Sequence, residues 1–268
     1  MIAKFKNWIK GFLSRSYDFY LVYGAVSFLM VMVAALVIGL IGRSGKIKEA
    51  KQAMEKCTYE VSDLMKEDIA SKVGNLSTLS RWFVQIGNPE LSFTLDRNQA
   101  DVLLLENISA VPDMKTLFMV WEPGMFDGKD SLYASSEFHD STGRYIPKFV
   151  KKADGLVEHV SVLNYNDNAD VNSYYYYKTK KSAFIQEPRI QRESARTLLI
   201  MPVVFPLNFG TRLLGVIGAD YEINNLNQKL NVGAKPEGCQ LVVFSSAGRV
   251  AVSPDKSLLI GRGVEAVF

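Results

Sequence analysis

The order of apolar and polar positions divides the chain into three kinds of segment. The first is an uninterrupted apolar run from Tyr20 to Ile41, in which no side chain carries a charge. At 1.5 Å per residue, its 22 residues reach about 33 Å as a helix, which matches a bilayer hydrocarbon core of roughly 30 Å. The pattern predicts a transmembrane helix over residues 19–41.

Residues 1–18 place apolar side chains at helical spacing between lysines. This pattern is typical of a segment that lies on an anionic membrane surface, and it favours a cytoplasmic N-terminus. Four basic residues precede the apolar run and four follow it closely, so the positive-inside rule alone gives no orientation. A cleaved signal peptide is the alternative, but its apolar region is only about 7–15 residues long, so an uncleaved anchor is favoured. The apolar positions of the N-terminus are Ile2, Phe5, Trp8, Ile9 and Phe12.

The second segment, residues 42–88, repeats apolar positions at spacings of mostly three and four. This is the pattern of one long amphipathic helix, with Gly74 and Asn75 as a point where it could kink or break. A coiled-coil stalk and packing against the following domain both agree with a single apolar stripe. The stripe consists of Ile47, Ala50, Met54, Cys57, Val61, Leu64, Ile69, Val73, Leu76, Leu79 and Phe83.

The third segment, residues 89–222, contains short β-rich runs between turns rich in Gly, Asn, Asp and Ser. A helical stretch from Asn98 to Glu106 precedes them. Because no long crossover helix separates the runs, they predict an antiparallel sheet and an α+β fold, with helices on one side of the sheet. The predicted strands are residues 116–121, 132–137, 144–150, 156–163, 182–186, 197–205 and 212–219.

Residues 223–268 begin with a short helical pattern at 224–232. A hairpin is then predicted from strands 240–244 and 249–252. This segment is too short to form an independent hydrophobic core, and we interpret it as the start of a second, truncated domain.

Composition narrows the possible functions. The formal net charge is +3, from 31 basic and 28 acidic residues, and no dense Lys/Arg stripe occurs in the sheet region. A nucleic-acid partner is therefore not expected. The two cysteines, Cys57 and Cys239, are too few for a disulfide scaffold, and whether they pair stays open.

A set of short segments occurs along residues 47–268 in a characteristic order. They are Trp121–Pro123, Phe126–Gly128 with Asp130, Gly143–Pro147, Tyr174–Lys178, Glu187–Pro188, Met201–Pro202, Pro206, Leu214–Asp220, Ser246–Val250, Ser253–Asp255 and Ile260–Gly261. In this order and spacing, they resemble the extracellular double-Cache (dCache) sensor domain of bacterial methyl-accepting chemotaxis proteins and of related transmembrane sensor kinases and phosphatases. The resemblance covers most of residues 47–268.

The resemblance implies an arrangement for the whole chain. Residues 42–88 become the stalk helix, residues 89–222 the membrane-distal, PAS-like Cache subdomain, and residues 223–268 a linking helix with part of the membrane-proximal subdomain. It also implies a single-pass protein of the inner (plasma) membrane, an extracytoplasmic sensor domain, and a homodimer through the stalk helix. The output module, whether methyl-accepting, kinase or phosphatase, would follow Phe268.

The sequence contains few of the residues and motifs that enzyme catalysis requires. The chain has two histidines, His139 and His159, and no GxSxG nucleophile elbow. The Asn/Asp-rich stretch at 164–170 lacks the glycine and terminal glutamate of an EF-hand loop, so a solvated turn is preferred over a calcium site. We expect no enzyme activity, no cofactor and no metal.

Small-molecule binding is better supported, because the chain is dense in aromatic side chains that combine an apolar ring with a polar tip. The resemblance places them in a ligand pocket. In amino-acid-binding members of the family, an Arg-x-Trp-Tyr element holds the ligand carboxylate. This chain has Val171–Tyr174 at that place, which disfavours an α-amino acid bound in that mode. Arg189 favours an anion such as a carboxylate. A membrane-anchored adaptor that binds a protein partner is the alternative. The candidate ligand-binding residues are Trp121, Asp127, Tyr133, Tyr145, Tyr174, Tyr176, Glu187, Arg189 and Asp220.

Overall fold

The computed structural model describes residues 2–88, 90–91, 94–162, 182–193, 197–223, 242–253 and 263. The chain divides into two compact units, residues 1–59 and residues 60–268. The elements in chain order are α1 (Ile2–Val84), a 3₁₀ turn (Gln85–Gly87), α2 (Arg97–Ala110), β1 (Met114–Trp121), a second 3₁₀ turn (Asp130–Leu132), β2 (Pro147–Lys151), β3 (Val157–Ser161), β4 (Phe184–Ile185), β5 (Arg189–Arg192), β6 (Thr197–Phe209), β7 (Arg212–Glu222), β8 (Val243–Phe244) and β9 (Val250–Val252).

The first unit is helical, and the apolar side chains of residues 26–41 are exposed. Among the described residues there is one helix that is apolar and long enough to cross a membrane by length and composition; its most apolar window has a mean hydropathy of 2.3 and none of that window is buried. Phe28 and Ile38 are 69% and 70% exposed. A contiguous apolar surface of this kind is stable in lipid and unstable in water.

The second unit is built on one antiparallel sheet. Its strand order is β3-β2-β1-β7-β6-β4, and β5 also pairs with β6. The central hairpin β6–β7 turns at Gly210, whose φ of 60° lies in the left-handed region that glycine adopts readily. The predicted α+β class with an antiparallel sheet is confirmed.

One face of the sheet packs against both helices. Alternate residues of β1, namely Leu117, Met119 and Trp121, point to this helical face because successive side chains of a strand lie on opposite sides. Helix α1 contributes apolar residues spaced by three and four, and α2 contributes residues spaced by four. These are Leu76, Leu79 and Phe83 from α1, and Ala100, Leu104 and Ile108 from α2, all buried.

Helix α2 starts at a capping box. The Asp96 side chain accepts a hydrogen bond from the Gln99 backbone N–H, and the Gln99 side chain accepts one from the Asp96 backbone N–H. Two otherwise unpaired groups of the first turn are thereby satisfied, which fixes where α2 begins.

The opposite face of the sheet, which we call the sheet face, has its own apolar cluster. Val120, Ile146, Val204 and Val216 are at most 1% exposed, with Phe118 packed against them. Gly218 makes room for the Phe118 ring, because a β-carbon at that position would overlap the ring.

Four sequence predictions change at the level of elements. Residues 132–137 do not form a strand: the chain makes a 3₁₀ turn there, and Ser135 and Phe138 have φ values of 57° and 62°, which no strand allows. The predicted strand at 144–150 begins later, at Pro147. Strand β5 was missed because it is a short, polar edge strand. Helix α1 continues through Gly74 without a break.

The predicted hairpin near the end is confirmed within the described residues, as β8 and β9 pair antiparallel around a turn at Gly248. Cys57 is a free thiol. Cys239 and the predicted helix at 224–232 lie outside the described residues.

Candidate functional site

Arg97, at the first position of α2, organises a buried cluster on the helical face. Its side chain is 2% exposed. Nε and one terminal nitrogen donate to the two carboxylate oxygens of Asp127 at 2.9 Å each, which is the bidentate geometry that suits a guanidinium. Further bonds go to Asp130 at 2.7 Å and to the Gly143 carbonyl at 2.6 Å. We call this group the Arg97 cluster.

Aromatic rings surround the guanidinium. The Arg97 guanidinium carbon lies 4.1 Å from the centroid of the Tyr133 ring and 5.5 Å from that of Tyr145. The Tyr145 ring contacts Phe126, which packs edge-on against Trp121. A cation over aromatic faces is attracted by the ring electrons, so the rings and the carboxylates stabilise the same charge.

The pKa values of the cluster follow from burial and hydrogen bonding. Burial alone would raise the pKa of Asp127, but the hydrogen bonds from Arg97 hold it below its ordinary value. Burial raises the pKa of Asp101, whose carboxylate accepts the Tyr145 hydroxyl at 2.7 Å. The pKa of Tyr145 lies well above its ordinary value, mainly through burial.

The sheet face carries a second charged group. Asp220, 7% exposed on β7, accepts a 2.8 Å hydrogen bond from Arg189 of β5, whose side chain is 36% exposed. Thr116 pairs with Asp220 across β1 and β7 and hydrogen bonds to its carboxylate. Burial raises the pKa of Asp220, and Arg189, Lys148 and Thr116 offset part of that rise.

Glu187 lies at a third place, in a partly open cavity of about 270 Å³. The walls come from α1, from the link between β4 and β5, and from the β8–β9 hairpin. We call it the hairpin cavity. The Ser246 hydroxyl donates to Glu187 Oε2 at 3.2 Å, whereas Glu187 Oε1 is buried without a hydrogen-bond partner.

A larger, open groove of about 850 Å³ lies between α1 and α2. Trp82 and Val102 line it, and each is 58% exposed. Within the described residues, no group of three or more His, Cys, Asp or Glu side chains is arranged to hold a metal ion.

No protein-family profile matches the chain. The methyl-accepting chemotaxis protein TlpQ of Pseudomonas aeruginosa strain PAO1 is 24% identical over 171 residues, which are 59% of this chain and 23% of TlpQ. The chain thus spans less than a quarter of the length of that curated relative.

Solved structures align with a larger share of the chain. The extracellular domain of mmHK1S-Z2, described as a histidine kinase, aligns with a TM-score of 0.63 at 21% identity, over 78% of this chain and 76% of that one. Methyl-accepting chemotaxis protein X aligns at 0.56 and 23% identity, over 77% and 78%. The periplasmic sensory domain of the Campylobacter jejuni chemoreceptor Tlp1 aligns at 0.52 and 16%, over 75% and 71%. The chain has the Cache-type sensor-domain fold. The predicted resemblance is confirmed for the fold.

Within this Cache-type fold, the predicted site residues lie in separate places. Trp121, Asp127, Tyr133 and Tyr145 meet on the helical face, around Arg97. Arg189 and Asp220 form a pair on the sheet face, and Glu187 lines the hairpin cavity. Tyr174, Tyr176 and the Asn/Asp-rich stretch at 164–170 lie outside the described residues.

The polar residues of these sites that were missed from the sequence include Arg97, Thr116 and Lys148. Thr116 and Lys148 left a weak signal, because each is a polar residue that directly precedes apolar residues of its strand. Arg97 left none, since its partners Asp127 and Asp130 follow 30 and 33 residues later.

Proposed function

We propose that the chain is the sensing part of a transmembrane chemoreceptor-type protein whose extracytoplasmic domain binds a small molecule at the sheet face. In this proposal residues 1–18 are cytoplasmic, 19–41 cross the inner membrane once, 42–88 form the stalk, 89–222 form the distal sensor subdomain, and 223–268 begin the membrane-proximal subdomain. The domain acts by binding and has no catalytic role.

The observation that supports this proposal is the buried Asp220–Arg189 pair in an apolar face. A carboxylate that is 7% exposed loses most of its hydration, and Arg189, Lys148 and Thr116 compensate for this only in part. Well-packed apolar residues would stabilise the sheet as well or better. A convergent polar pair on an apolar wall is what a small-molecule site requires.

The chemistry of the pair suggests the ligand class. A ligand carboxylate would bind the Arg189 guanidinium, which Asp220 holds in position, and the apolar part of the ligand would contact the wall around Phe118. An amine would instead compete with Arg189 for Asp220. We favour the carboxylate.

Transmission would use α1, because one continuous helix contains both the apolar span and the residues that pack on the sheet. Ligand contacts that differ between two states of the domain would change the position of the packed part of the helix. We also propose a homodimer through α1, supported by the exposed Trp82 beside the open groove.

A thermal-shift screen of the full chain in detergent tests the binding site. Small carboxylates and amines are screened in parallel. A carboxylate that stabilises the wild type should stabilise Arg189→Gln and Asp220→Asn much less, because binding contributes stability only when affinity is retained. The controls are Arg192→Gln and Asp63→Asn, which alter an exposed arginine of β5 and an exposed carboxylate of α1. Equal shifts in all variants would place the ligand elsewhere.

A further inference from the structure

The hairpin cavity lies apart from the proposed sheet-face site. Its apolar wall includes Met65 and Ile69 of α1, Met201 of β6, and Ala251 of β9. Parts of the chain that are far apart in the sequence therefore line one space. A volume of about 270 Å³ lies just below the range of roughly 300–1,000 Å³ that is usual for ligand sites, so the cavity suits a small occupant.

The charge of the cavity is negative. Glu187 and Asp68 line it, and no lysine, arginine or histidine is among its described lining residues. Asp68 is bonded to Lys72 at 2.5 Å, and Lys72 also pairs with Asp113 at 3.3 Å. Lys72 is therefore shared between two carboxylates, whereas Glu187 forms no ion pair with a described residue.

Glu187 Oε1 is the informative atom. It has lost its contact with water and has no hydrogen-bond partner among the protein atoms, while Oε2 accepts the Ser246 hydroxyl. An unsatisfied buried carboxylate oxygen is costly, and most such atoms in folded proteins have a partner. Because Oε1 is closed to water in this conformation, the carboxylate would turn towards the cavity before a donor inside it supplies the missing bond.

We propose that the hairpin cavity is a second binding site, for a small organic ammonium ion. The ammonium group would donate to Glu187 Oε1, and a short alkyl chain would contact the apolar wall formed by Ile69, Met201 and Ala251. A metal ion fits poorly, because the wall is apolar and the described residues offer no cluster of three ligands. The proposal does not depend on the sheet-face site.

The probe is n-butylammonium, titrated calorimetrically into the full chain in lipid nanodiscs, with 1-butanol as its neutral counterpart. We expect saturable binding of butylammonium and much weaker binding of butanol. Glu187→Gln should weaken butylammonium binding about 10- to 100-fold, which is the loss expected for one hydrogen bond to a charged group. The matched control is Glu158→Gln, which removes an exposed carboxylate that pairs with Lys152 on the surface.

A second variant keeps the proposal testable without changing charge. Ala251→Met fills part of the cavity, and it should exclude butylammonium while leaving Glu187 in place. Three outcomes would overturn the proposal: no saturable binding to the wild type, unchanged affinity in Glu187→Gln, or loss of binding in Asp220→Asn and not in Glu187→Gln. The last result would place the amine on the sheet face.

Discussion

At the scale of single residues, Arg97 joins segments that are far apart in the sequence. Its guanidinium bonds to Asp127, Asp130 and the carbonyl of Gly143, so one side chain fixes the long connection between β1 and β2 against α2. The sequence pointed to Asp127 but not to its partner, because a charge pair that closes over 30 residues leaves no local pattern.

Replacing Arg97 tests how much the cluster stabilises the domain. Arg97→Met keeps the length of the side chain but leaves two partly buried carboxylates without their cation. We expect the free energy of unfolding to fall by about 3–5 kcal/mol, as measured by urea denaturation. The control is Arg192→Met, which changes an exposed arginine and should alter stability by less than about 0.5 kcal/mol. Similar values for both variants would contradict the role given to Arg97.

His159 provides a pH-dependent test in the same region. Its ring stacks between Phe138 and Phe149, with centroids 4.2 Å and 4.4 Å away. Burial lowers the pKa of His159 below its ordinary value of 6.5, although Asp101 partly opposes this. The unfolded chain therefore binds more protons than the folded chain just below pH 6.5.

The free energy of unfolding should accordingly decrease as the pH falls from 6.5 towards the lower, folded-state pKa. His159→Phe preserves the stacking and removes the titrating group, so its stability should change less over that interval. Denaturation curves at several pH values measure both slopes. An identical slope in the variant would mean that other groups cause the pH dependence.

At the scale of elements, the sequence patterns predicted the helices and strands that depend on residues close together in the chain. The apolar runs of β1, β6 and β7 between polar turns predicted the central sheet, and the spacing in α1 predicted its long helix. The segment 132–137 was misread as a strand because Leu132 and Tyr133 suit a strand, whereas the bonds of Asp130 to Arg97 and to the Gly124 N–H fold the chain back. Tertiary contacts overruled local preference there.

Glycine substitutions test how tightly the connection between β1 and β2 is packed. Gly143 has a φ of 72°, and a β-carbon there would overlap the backbone carbonyl of Asp130. Gly155 also has a positive φ, 88°, but its surroundings are open. Gly143→Ala should therefore lower the free energy of unfolding by about 1–3 kcal/mol more than Gly155→Ala, because only the first creates a steric overlap. Equal losses would show that backbone conformation alone matters.

At the scale of the whole molecule, sequence hydropathy indicated the span and the comparisons gave the fold. Neither gives the position of the functional groups, because the two faces of one sheet are distinguished only by what packs on each. Trp121 and Tyr145 are predicted pocket residues from their chemistry, and in the structure they pack with α1 and α2.

Orientation across the membrane can be measured by thiol labelling. In a variant with both native cysteines replaced by serine, Ser141→Cys on the exposed β1–β2 connection should react with a membrane-impermeant maleimide while the inner membrane is intact. Lys6→Cys should react only after that membrane is dissolved. The reverse pattern would place the sheet domain in the cytoplasm.

The most direct test of the central claim is a crystal structure of the domain bound to a compound from the thermal-shift screen. We expect the polar group of the ligand within about 2.7–3.2 Å of Arg189 or Asp220, with its apolar part against Phe118. A ligand seated instead among Trp121, Tyr145 and Arg97 on the helical face would contradict it.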